Sequence, residues 1–359
     1  MRVWLDILTP KQILFMNELE KVLRAKGHEV FNTTRNYKEV NELMEMKGLD
    51  SFVMGKHGGS TLKGKLIAGA HRIAELANLV SKLNPDLSIA FASPEAARTA
   101  FGLAIPHYTV NDSPHSISVA RLTIPLSKRL FAPKIIPKKE WIDLCASPDM
   151  IIQYNALDPA AWIKGFVSSP AVLYQLGLDE SKPIVTFRVE ETFASYLLDR
   201  VSQKESVVMP IIRNLLERYK KDIQIVVIPR YNEQIHMLKA AFHSQVTVTE
   251  KVVDSTSLVF FSSIFVGAGG TMTAEAALLG TPTISCYPVE PTMVEQYLIK
   301  EKAVCRIIDP DKAFKKITNI LDNFESYKRA SQEKATNLLS SMENPIDVII
   351  NQIEHEFKL

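Results

Sequence analysis

Short apolar runs alternate with segments of helical periodicity along almost the whole of this 359-residue chain, and no other feature constrains its fold as strongly. The run RVWLDIL near the start is rich in residues that favour β-strands, and it ends at Thr9-Pro10. The next segment places apolar residues at helical spacing and ends at Gly27, a residue type that commonly follows a helix C-terminus. Repetition of this strand–helix unit predicts parallel sheets with helices covering their faces.

The alternation is interrupted once, between about residues 125 and 180, where prolines crowd. It resumes with the strands PIVTFR and IQIVVIP, and the chain is longer than one typical domain. We therefore predict an N-terminal α/β domain over residues 1–165 and a C-terminal one over 166–335. Residues 336–359 are expected to end in an amphipathic helix that packs back on the body. The apolar side of that helix carries Ile346, Ile349, Ile350 and Ile353.

Composition excludes several classes of protein. The net charge is only +2, and basic and aromatic residues are not interleaved, so we expect no nucleic-acid partner. The three cysteines are scattered and odd in number, which fits a reducing compartment. We see no signal peptide and no run of about 18 apolar residues. These features predict a cytoplasmic protein with, at most, peripheral contact with a membrane.

The stretch VGAGGTMTAEAALLGTP, residues 266–282, places three glycines between a predicted strand and a predicted helix. Gly267, Gly269 and Gly270 would let the backbone approach a ligand closely. The helix start that follows offers unpaired N–H donors and a partial positive charge, and both favour a phosphate. Thr271 and Thr273 add hydroxyl groups there. We interpret the stretch as a phosphate-binding turn; the alternative is a tight strand-to-helix turn in which glycine only relieves strain.

Glu275 lies one helical turn beyond the glycines, where its negative charge would repel a phosphate. Its carboxylate could instead accept hydrogen bonds from two ribose hydroxyls of the same nucleotide. The alternative is a residue that only complements the helix dipole. The stretch is not the dinucleotide-binding GxGxxG motif, because Met272 stands where the third glycine would be.

A second glycine-rich stretch, GKHGGSTLKGKL, almost matches a P-loop. Gly59, Gly64 and Lys65 satisfy the pattern, but Leu66 replaces the Ser or Thr that would hold Mg²⁺. We therefore interpret this stretch as a basic loop, either a lid or part of an acceptor site, with His57 near its start.

No spacing of potential ligands indicates a metal site. Asp309-Pro310-Asp311 spells the DxD motif of some glycosyltransferases, but Asp311 is better explained as a helix N-cap. His28-Glu29 begins an HExxH pattern that ends in Asn32 instead of His. We predict neither a metal nor a cofactor.

Five stretches together resemble a known family: GKHGGSTLKGKL, SPEAARTAFGLAIP, NDSPHS, YNALDPAAW and VGAGGTMTAEAALLGTP. The resemblance is to domain-of-unknown-function family 354, predicted glycosyltransferases common in archaea, and it covers nearly the whole chain. It implies the GT-B fold, an α/β fold in which two Rossmann-like doubly wound parallel-sheet domains face a cleft. The N-terminal domain would then lie on the acceptor side, and the C-terminal domain would bind the nucleotide sugar.

Better-understood relatives imply roles for particular residues. The glycine turn is similar to one in the peptidoglycan GlcNAc transferase, where the turn holds the diphosphate and a Glu placed like Glu275 holds the ribose. Glu295 and Gln296 match a pair of glutamines that contacts the donor sugar there, and Glu295 departs from that pattern. The stretch VTFRVEE resembles, more loosely, the HRREN stretch of the non-hydrolysing UDP-GlcNAc 2-epimerase. That match would place Arg188 near the diphosphate, with Phe187 in place of the histidine of the epimerase.

The resemblance therefore implies a metal-independent glycosyltransferase of GT-B type. It would move a sugar from a nucleoside diphosphate, expected to be UDP, to an unknown glycan or lipid-linked acceptor. The general base would come from the N-terminal domain, with Asp112 in NDSPHS and His57 in GKHGG as candidates. Asp112 could instead be a turn residue before Pro114, and His57 a loop contact.

Two other functions stay open. A UDP-sugar 2-epimerase of the same fold would need several acidic residues grouped in the cleft, and SPEAARTA and NDSPH offer few. The chain could also be a nucleotide-sugar-binding protein without catalytic activity.

Overall fold

The computed structural model describes residues 1–59, 61–190 and 206–358. It divides the chain into two units: unit 1 comprises Met1–Trp162 and Met342–Leu359, and unit 2 comprises Ile163–Ser341. Each unit is built on one parallel sheet, as the alternation of strands and helices predicted. Among the described residues, no helix is both long enough and apolar enough to span a bilayer.

The sheet of unit 1 has seven strands within the described residues, and they are connected mainly by helices. The strands are β1 (Arg2–Asp6), β2 (Glu29–Asn36), β3 (Phe52–Lys56), β4 (Leu87–Phe91), β5 (His107–Val110), β6 (Arg129–Pro133) and β7 (Ile151–Tyr154). The helices are α1 (Pro10–Ala25), α2 (Lys38–Met46), α3 (Leu62–Leu83), α4 (Pro94–Gly102), α5 (Ile117–Thr123), α6 (Lys138–Ile142) and α7 (Ala160–Ile163), which crosses the unit boundary. β4 and β5 are buried at every position, as expected for strands of a parallel sheet that is covered on both faces.

The strand order in unit 1 is β3-β2-β1-β4-β5-β6-β7, so the direction of winding reverses between β1 and β4. Asp6 ends β1 at this reversal and is fully buried. Its carboxylate accepts hydrogen bonds from Thr33 Oγ1 (2.6 Å) and Ser93 Oγ (2.7 Å), and from both Nη atoms of Arg72. Burial acts to raise the pKa of Asp6, but the Arg72 guanidinium and these hydrogen bonds outweigh it and hold the pKa below its ordinary value.

Within the described residues, the sheet of unit 2 has six parallel strands in the order β10-β9-β8-β11-β12-β13. They are β8 (Ile184–Arg188), β9 (Gln224–Ile228), β10 (Thr247–Val248), β11 (Ile264–Gly267), β12 (Thr283–Ser285) and β13 (Cys305–Arg306). The helices are α8 (Ala171–Leu176), α9 (Met209–Tyr219), α10 (Asn232–Phe242), α11 (Ser255–Phe261), α12 (Thr271–Leu278), α13 (Met293–Lys300), α14 (Pro310–Asp322) and α15 (Phe324–Ser341). Winding reverses between β8 and β11, and open α/β sheets bind ligands at the carboxyl ends of the strands flanking such a reversal.

The start of α14 corrects one prediction. The N-cap is Asp309, whose side chain accepts a hydrogen bond from the Lys312 N–H at 2.8 Å, and Asp311 lies in the first turn of the helix. Asp309-Pro310-Asp311 therefore begins a helix, as expected. The sequence predicted Asp311 as the N-cap, and the N-cap is Asp309, two positions earlier. Proline at the first helical position accounts for the shift, because Pro310 has no N–H to be satisfied.

The last helix, α16 (Pro345–Phe357), returns to unit 1 and packs against α1. Its four isoleucines are buried. Near its end, Glu356 accepts hydrogen bonds from Tyr108 Oη (2.7 Å) and Arg129 Nε, and it pairs with Lys128 Nζ at 2.9 Å. Burial opposes ionisation of Glu356, but these donors outweigh it and lower its pKa to about 2.

Replacing Glu356 by glutamine is expected to lower the free energy of unfolding by about 1–3 kcal/mol at pH 7, because a buried, multiply hydrogen-bonded carboxylate loses its charge. The folded pKa lies below the unfolded one, so this stability is present above about pH 4.5 and is lost as the pH falls toward 2. Urea unfolding of wild type and variant at several pH values measures the difference. Glu354→Gln is the control, since Glu354 lies on the same helix and forms only a half-exposed ion pair with Lys26. A difference that stays constant from pH 7 to pH 2 would contradict this explanation.

Candidate functional site

The glycine turn of unit 2 joins β11 to α12, and its backbone geometry requires glycine. Gly269 and Gly270 have φ values of +94° and +91°, in the left-handed region. A Cβ atom on Gly269 would lie 2.4 Å from the ring of Tyr287, and one on Gly267 would lie 2.4 Å from Thr273 Oγ1. Gly267 and Gly269 are thus explained by close packing inside the turn. Gly270 is exposed, so it is where the backbone of the turn is open to solvent.

The first turn of α12 presents donors without an internal acceptor. No described side chain caps this helix, and no acidic residue lies in its first turn. By contrast, Thr61 caps α3 and Thr292 caps α13. Thr273 Oγ1 is buried and has no hydrogen-bond partner among the described residues. A helix start with open N–H groups and an unsatisfied hydroxyl is suited to an anion.

Two arginines come close to this turn, Arg188 through its backbone and Arg230 through its side chain. Arg188 ends β8 directly opposite Gly267 of β11, and its Nη1 donates to the Pro229 carbonyl at 2.6 Å. Arg230 follows β9, and its Nη2 lies 3.0 Å from where a Cβ of Gly270 would be. The resemblance placed Arg188 near the diphosphate, and that role stays a prediction. The sequence analysis did not identify Arg230 as a site residue, although its position directly after the predicted strand IQIVVIP indicates the carboxyl edge of the sheet, where ligands bind.

Glu275 is buried on α12, and its Oε1 accepts a hydrogen bond from Thr256 Oγ1 of α11 at 3.3 Å. The sequence predicted a carboxylate that binds a ribose. In the structure this carboxylate accepts a hydrogen bond from another side chain of the protein, Thr256. That Glu275 binds a ribose stays a prediction.

The neighbouring residues Glu295 and Gln296 have different surroundings. Glu295 is buried at the carboxyl end of β12 and accepts a hydrogen bond from Ser285 Oγ. Burial raises the pKa of Glu295, against the opposing effects of Ser285 and Arg306. Gln296 is exposed, and its Nε2 donates to the Pro291 carbonyl at 2.9 Å. Consecutive helical residues are about 100° apart, so the two side chains are not presented together to one ligand.

In unit 1, Asp112 is part of a cluster at the carboxyl edge of the sheet. Lys11 Nζ lies 2.5 Å from Asp112 Oδ2 and 2.6 Å from Asp158 Oδ2. Tyr154 Oη donates to Asp158, and Ser113 Oγ donates to Asp112 at 2.8 Å. The cluster joins the start of α1 to the segments after β5 and β7, which are far apart in the chain. Lys11 and Asp158 were therefore missed as site residues, although Asp158 lies in the motif YNALDPAAW.

The two carboxylates of this cluster have different proton affinities. Burial acts to raise the pKa of Asp112, but Lys11 outweighs it and holds the pKa below its ordinary value. Burial raises the pKa of Asp158 to about 6, and the charge of Asp112 adds to that effect. Near neutral pH, Asp158 is thus the carboxylate poised to exchange a proton, whereas Asp112 is the more exposed of the two and stays ionised.

His57, the other predicted base, lies elsewhere in unit 1. It follows β3, stacks on Tyr37 with ring centroids 4.9 Å apart, and accepts a hydrogen bond from the Gly59 N–H at 3.2 Å. Burial and the charges of Arg35 and Lys65 lower its pKa, so the ring is neutral near pH 7. β3 and β5 are four strand positions apart, or roughly 19 Å at the usual spacing. His57 and Asp112 are therefore alternatives and not partners.

No group of three or more His, Cys, Asp or Glu side chains that could hold a metal ion occurs among the described residues.

Comparison with solved structures shows the fold. A Staphylococcus aureus MnaA structure determined with UDP has a TM-score of 0.78 at 13% identity, covering 100% of this chain and 97% of that one. UDP-GlcNAc 2-epimerase from Neisseria meningitidis bound to UDP-GlcNAc has a TM-score of 0.68 at 14% identity, covering 98% and 99%. The spinosyn forosaminyltransferase SpnP has a TM-score of 0.62 at 18% identity, covering 99% and 98%. The fold is thus the two-domain α/β fold of the GT-B class predicted from the sequence.

Sequence comparison shows the family. An uncharacterised protein of Methanocaldococcus jannaschii is 30% identical over 325 residues, covering 89% of this chain and 91% of that protein. Residues 1–358 match the family described as "Protein of unknown function (DUF354)", and the chain therefore belongs to that family.

Proposed function

We propose that unit 2 binds a UDP-linked sugar at the glycine turn and that the protein transfers the sugar to an acceptor without a metal ion. The observation that carries the proposal is the uncapped start of α12 at the reversal between β8 and β11, with Arg188 and Arg230 beside it. Two of the solved structures with the same fold were determined with UDP or with UDP-GlcNAc, which supports the choice of uridine.

In this proposal, the diphosphate accepts hydrogen bonds from the N–H groups at Gly270 and Thr271 and from Thr273 Oγ1. As the bond from the anomeric carbon to the diphosphate oxygen breaks, negative charge grows on the leaving diphosphate. The helix start and the two arginines stabilise that charge, and preorganised donors of this kind contribute roughly 3 kcal/mol each in enzymes. Glu275 accepts hydrogen bonds from the ribose hydroxyls, since a carboxylate that accepts one bond from Thr256 has further acceptor sites. Glu295 or Gln296 contacts the sugar.

The acceptor, a glycan or lipid-linked hydroxyl compound, would lose its proton to a residue of unit 1. Asp112 is the more exposed carboxylate of its cluster, and the neighbouring Asp158, with a pKa of about 6, can take up a proton near neutral pH. His57 is the alternative base, since its lowered pKa keeps the ring able to accept a proton.

A second candidate function is 2-epimerisation of a UDP-sugar. The stretches SPEAARTA and NDSPH offer few acidic residues, but Lys11 brings Asp112 together with Asp158 from another segment. This grouping favours the epimerase. Against it, Phe187 takes the place of the histidine of the epimerase and is fully buried in the core of unit 2.

The test is calorimetric binding of UDP, GDP, dTDP, CMP and their sugars, without added metal. We expect wild type to select UDP and to bind it more tightly than 2′-deoxy-UDP. Glu275→Ala should lose that preference, because the ribose 2′-hydroxyl then has no acceptor; Glu301→Ala, an exposed Glu in the same unit, is the control. Absence of binding by every nucleotide would overturn the proposal. Incubation of the bound UDP-sugar without an acceptor then separates the two activities, since only the epimerase yields the C2 epimer.

A further inference from the structure

The N-terminal half of α3 exposes apolar side chains that nothing in the described structure covers. Leu62, Leu66 and Ile67 are 67%, 75% and 47% exposed. The buried residues of α3 are Arg72, Leu76 and Val80, which lie from the middle of the helix onward. At 100° per residue, Leu66 and Ile67 lie about 120° and 140° around the helix from Arg72. They therefore point away from the core. We call Leu62, Leu66 and Ile67, with the exposed Lys56 and Lys63, the α3 face.

The charge around the α3 face is of one sign. No Asp or Glu occurs between Asp50 and Glu75, whereas that interval contains Lys56, Lys63, Lys65 and Arg72. Of the elements packed on α3, α4 brings Glu95 close, but Glu95 approaches Gly69, on the flank that faces α4. The edge strand β3, which α3 crosses, also exposes apolar residues, with Phe52 and Val53 about half exposed.

This combination of charge and apolar surface selects one kind of partner. A second copy docking face to face would bring Lys63 against Lys63 with no carboxylate between residues 51 and 74 to neutralise it. A bilayer with anionic lipid offers both an apolar layer and negative charge, which is what interfacial helices of this composition bind. We propose that the α3 face docks unit 1 reversibly on the surface of a membrane that contains anionic phospholipid. The proposal does not depend on the proposed transferase activity.

The experiment is co-sedimentation of the full chain with phosphatidylcholine vesicles, alone or mixed with phosphatidylglycerol. We expect binding to the mixed vesicles that weakens as salt rises and is at least several-fold weaker on phosphatidylcholine alone. Leu66→Asp with Ile67→Asp should reduce binding about tenfold or more, because charges replace the inserted apolar groups. Lys56→Glu with Lys63→Glu should abolish the preference for anionic lipid.

Val167→Asp is the matched control, since Val167 is 86% exposed and lies in unit 2. All substituted side chains are exposed, so circular dichroism and UDP binding should match wild type in each variant. The proposal is overturned if wild type does not bind the mixed vesicles, binds both kinds equally, or loses as much binding through Val167→Asp. It is also overturned if light scattering shows a dimer that Leu66→Asp with Ile67→Asp dissociates, because the face would then be covered by a second copy.

Discussion

Replacing Arg230 by alanine is expected to weaken UDP binding about 10- to 100-fold. A charge-assisted hydrogen bond contributes about 1.5–3 kcal/mol, and each 1.4 kcal/mol corresponds to a factor of ten in Kd. Arg230 is half-buried beside Gly270, and its Nε donates to the Val189 carbonyl at 3.2 Å, whereas Arg188 is buried and bonded to the Pro229 carbonyl. Arg230 is therefore the more accessible of the two arginines for this test. Truncating Arg188 would disturb the end of β8 as well as any ligand contact. Calorimetry with UDP measures the effect.

The loss of affinity in Arg230→Ala should depend on the presence of the diphosphate in the ligand. Uridine carries no phosphate, so its affinity should be nearly unchanged by Arg230→Ala, while the affinity for UDP falls and becomes less sensitive to salt. Arg218→Ala is the control, since Arg218 lies on α9 of the same unit and its contacts are an exposed ion pair with Asp322 and a cation–π contact with Tyr219. Equal weakening for uridine and UDP would place Arg230 away from the diphosphate. Unchanged UDP binding would remove it from the site.

Replacing Arg72 by methionine is expected to lower the free energy of unfolding by about 3–5 kcal/mol at pH 7, because the fully buried carboxylate of Asp6 then has no countercharge. The control is Arg98→Met on α4, which removes an exposed arginine of the same unit and should cost less than about 0.5 kcal/mol. Urea unfolding followed by fluorescence and circular dichroism measures both differences.

The pH dependence of the Arg72 effect follows from Asp6. In wild type the folded pKa of Asp6 lies below its ordinary value, so the stability it contributes is lost as the pH falls through the acidic range. In Arg72→Met the burial remains and the countercharge is gone, so the pKa of Asp6 should rise above that value. The difference between wild type and variant should therefore shrink at low pH. Asp6→Asn in the Arg72→Met background should recover part of the loss at pH 7. A full loss that persists in the double variant would mean that the packing of Arg72, not its charge, is what matters.

Much of the architecture could be predicted because it depends on local pattern. The alternation of apolar runs with helical spacing was enough to predict parallel α/β units. The glycine turn of residues 267–270 was placed correctly at the junction of β11 and α12, with Gly267 ending β11, since turn chemistry can be predicted from adjacent residues. The same local reasoning missed the cap of α14 by two positions, because Asp309 and Asp311 are both plausible caps and only the backbone of Asp309 has the extended conformation that a cap requires.

The candidate site could be predicted only in part. The expectation that Arg188 lies near a diphosphate came from resemblance to another family and stays a prediction, and the structure shows the pairing of Arg188 with Gly267. Arg230 and Lys11 could not be assigned from local sequence, because each lies far along the chain from the groups it approaches. The pKa of Asp158 depends on burial and on the charges of Lys11 and Asp112, which belong to other segments. A local sequence motif cannot predict these effects.

The sequence by itself thus determined the elements: which segments are strands or helices, where the glycine turn begins, and which side of α16 is apolar. Only the tertiary structure decided the order of the strands, and with it the reversals after β1 and β8. That order joins Lys11 to Asp112 and Asp158, and it sets His57 four strand positions away from Asp112. The physical reason is that hydrophobic periodicity reflects the contacts of one segment with its immediate environment. Strand order depends instead on the packing of segments distant in sequence, which no local pattern encodes.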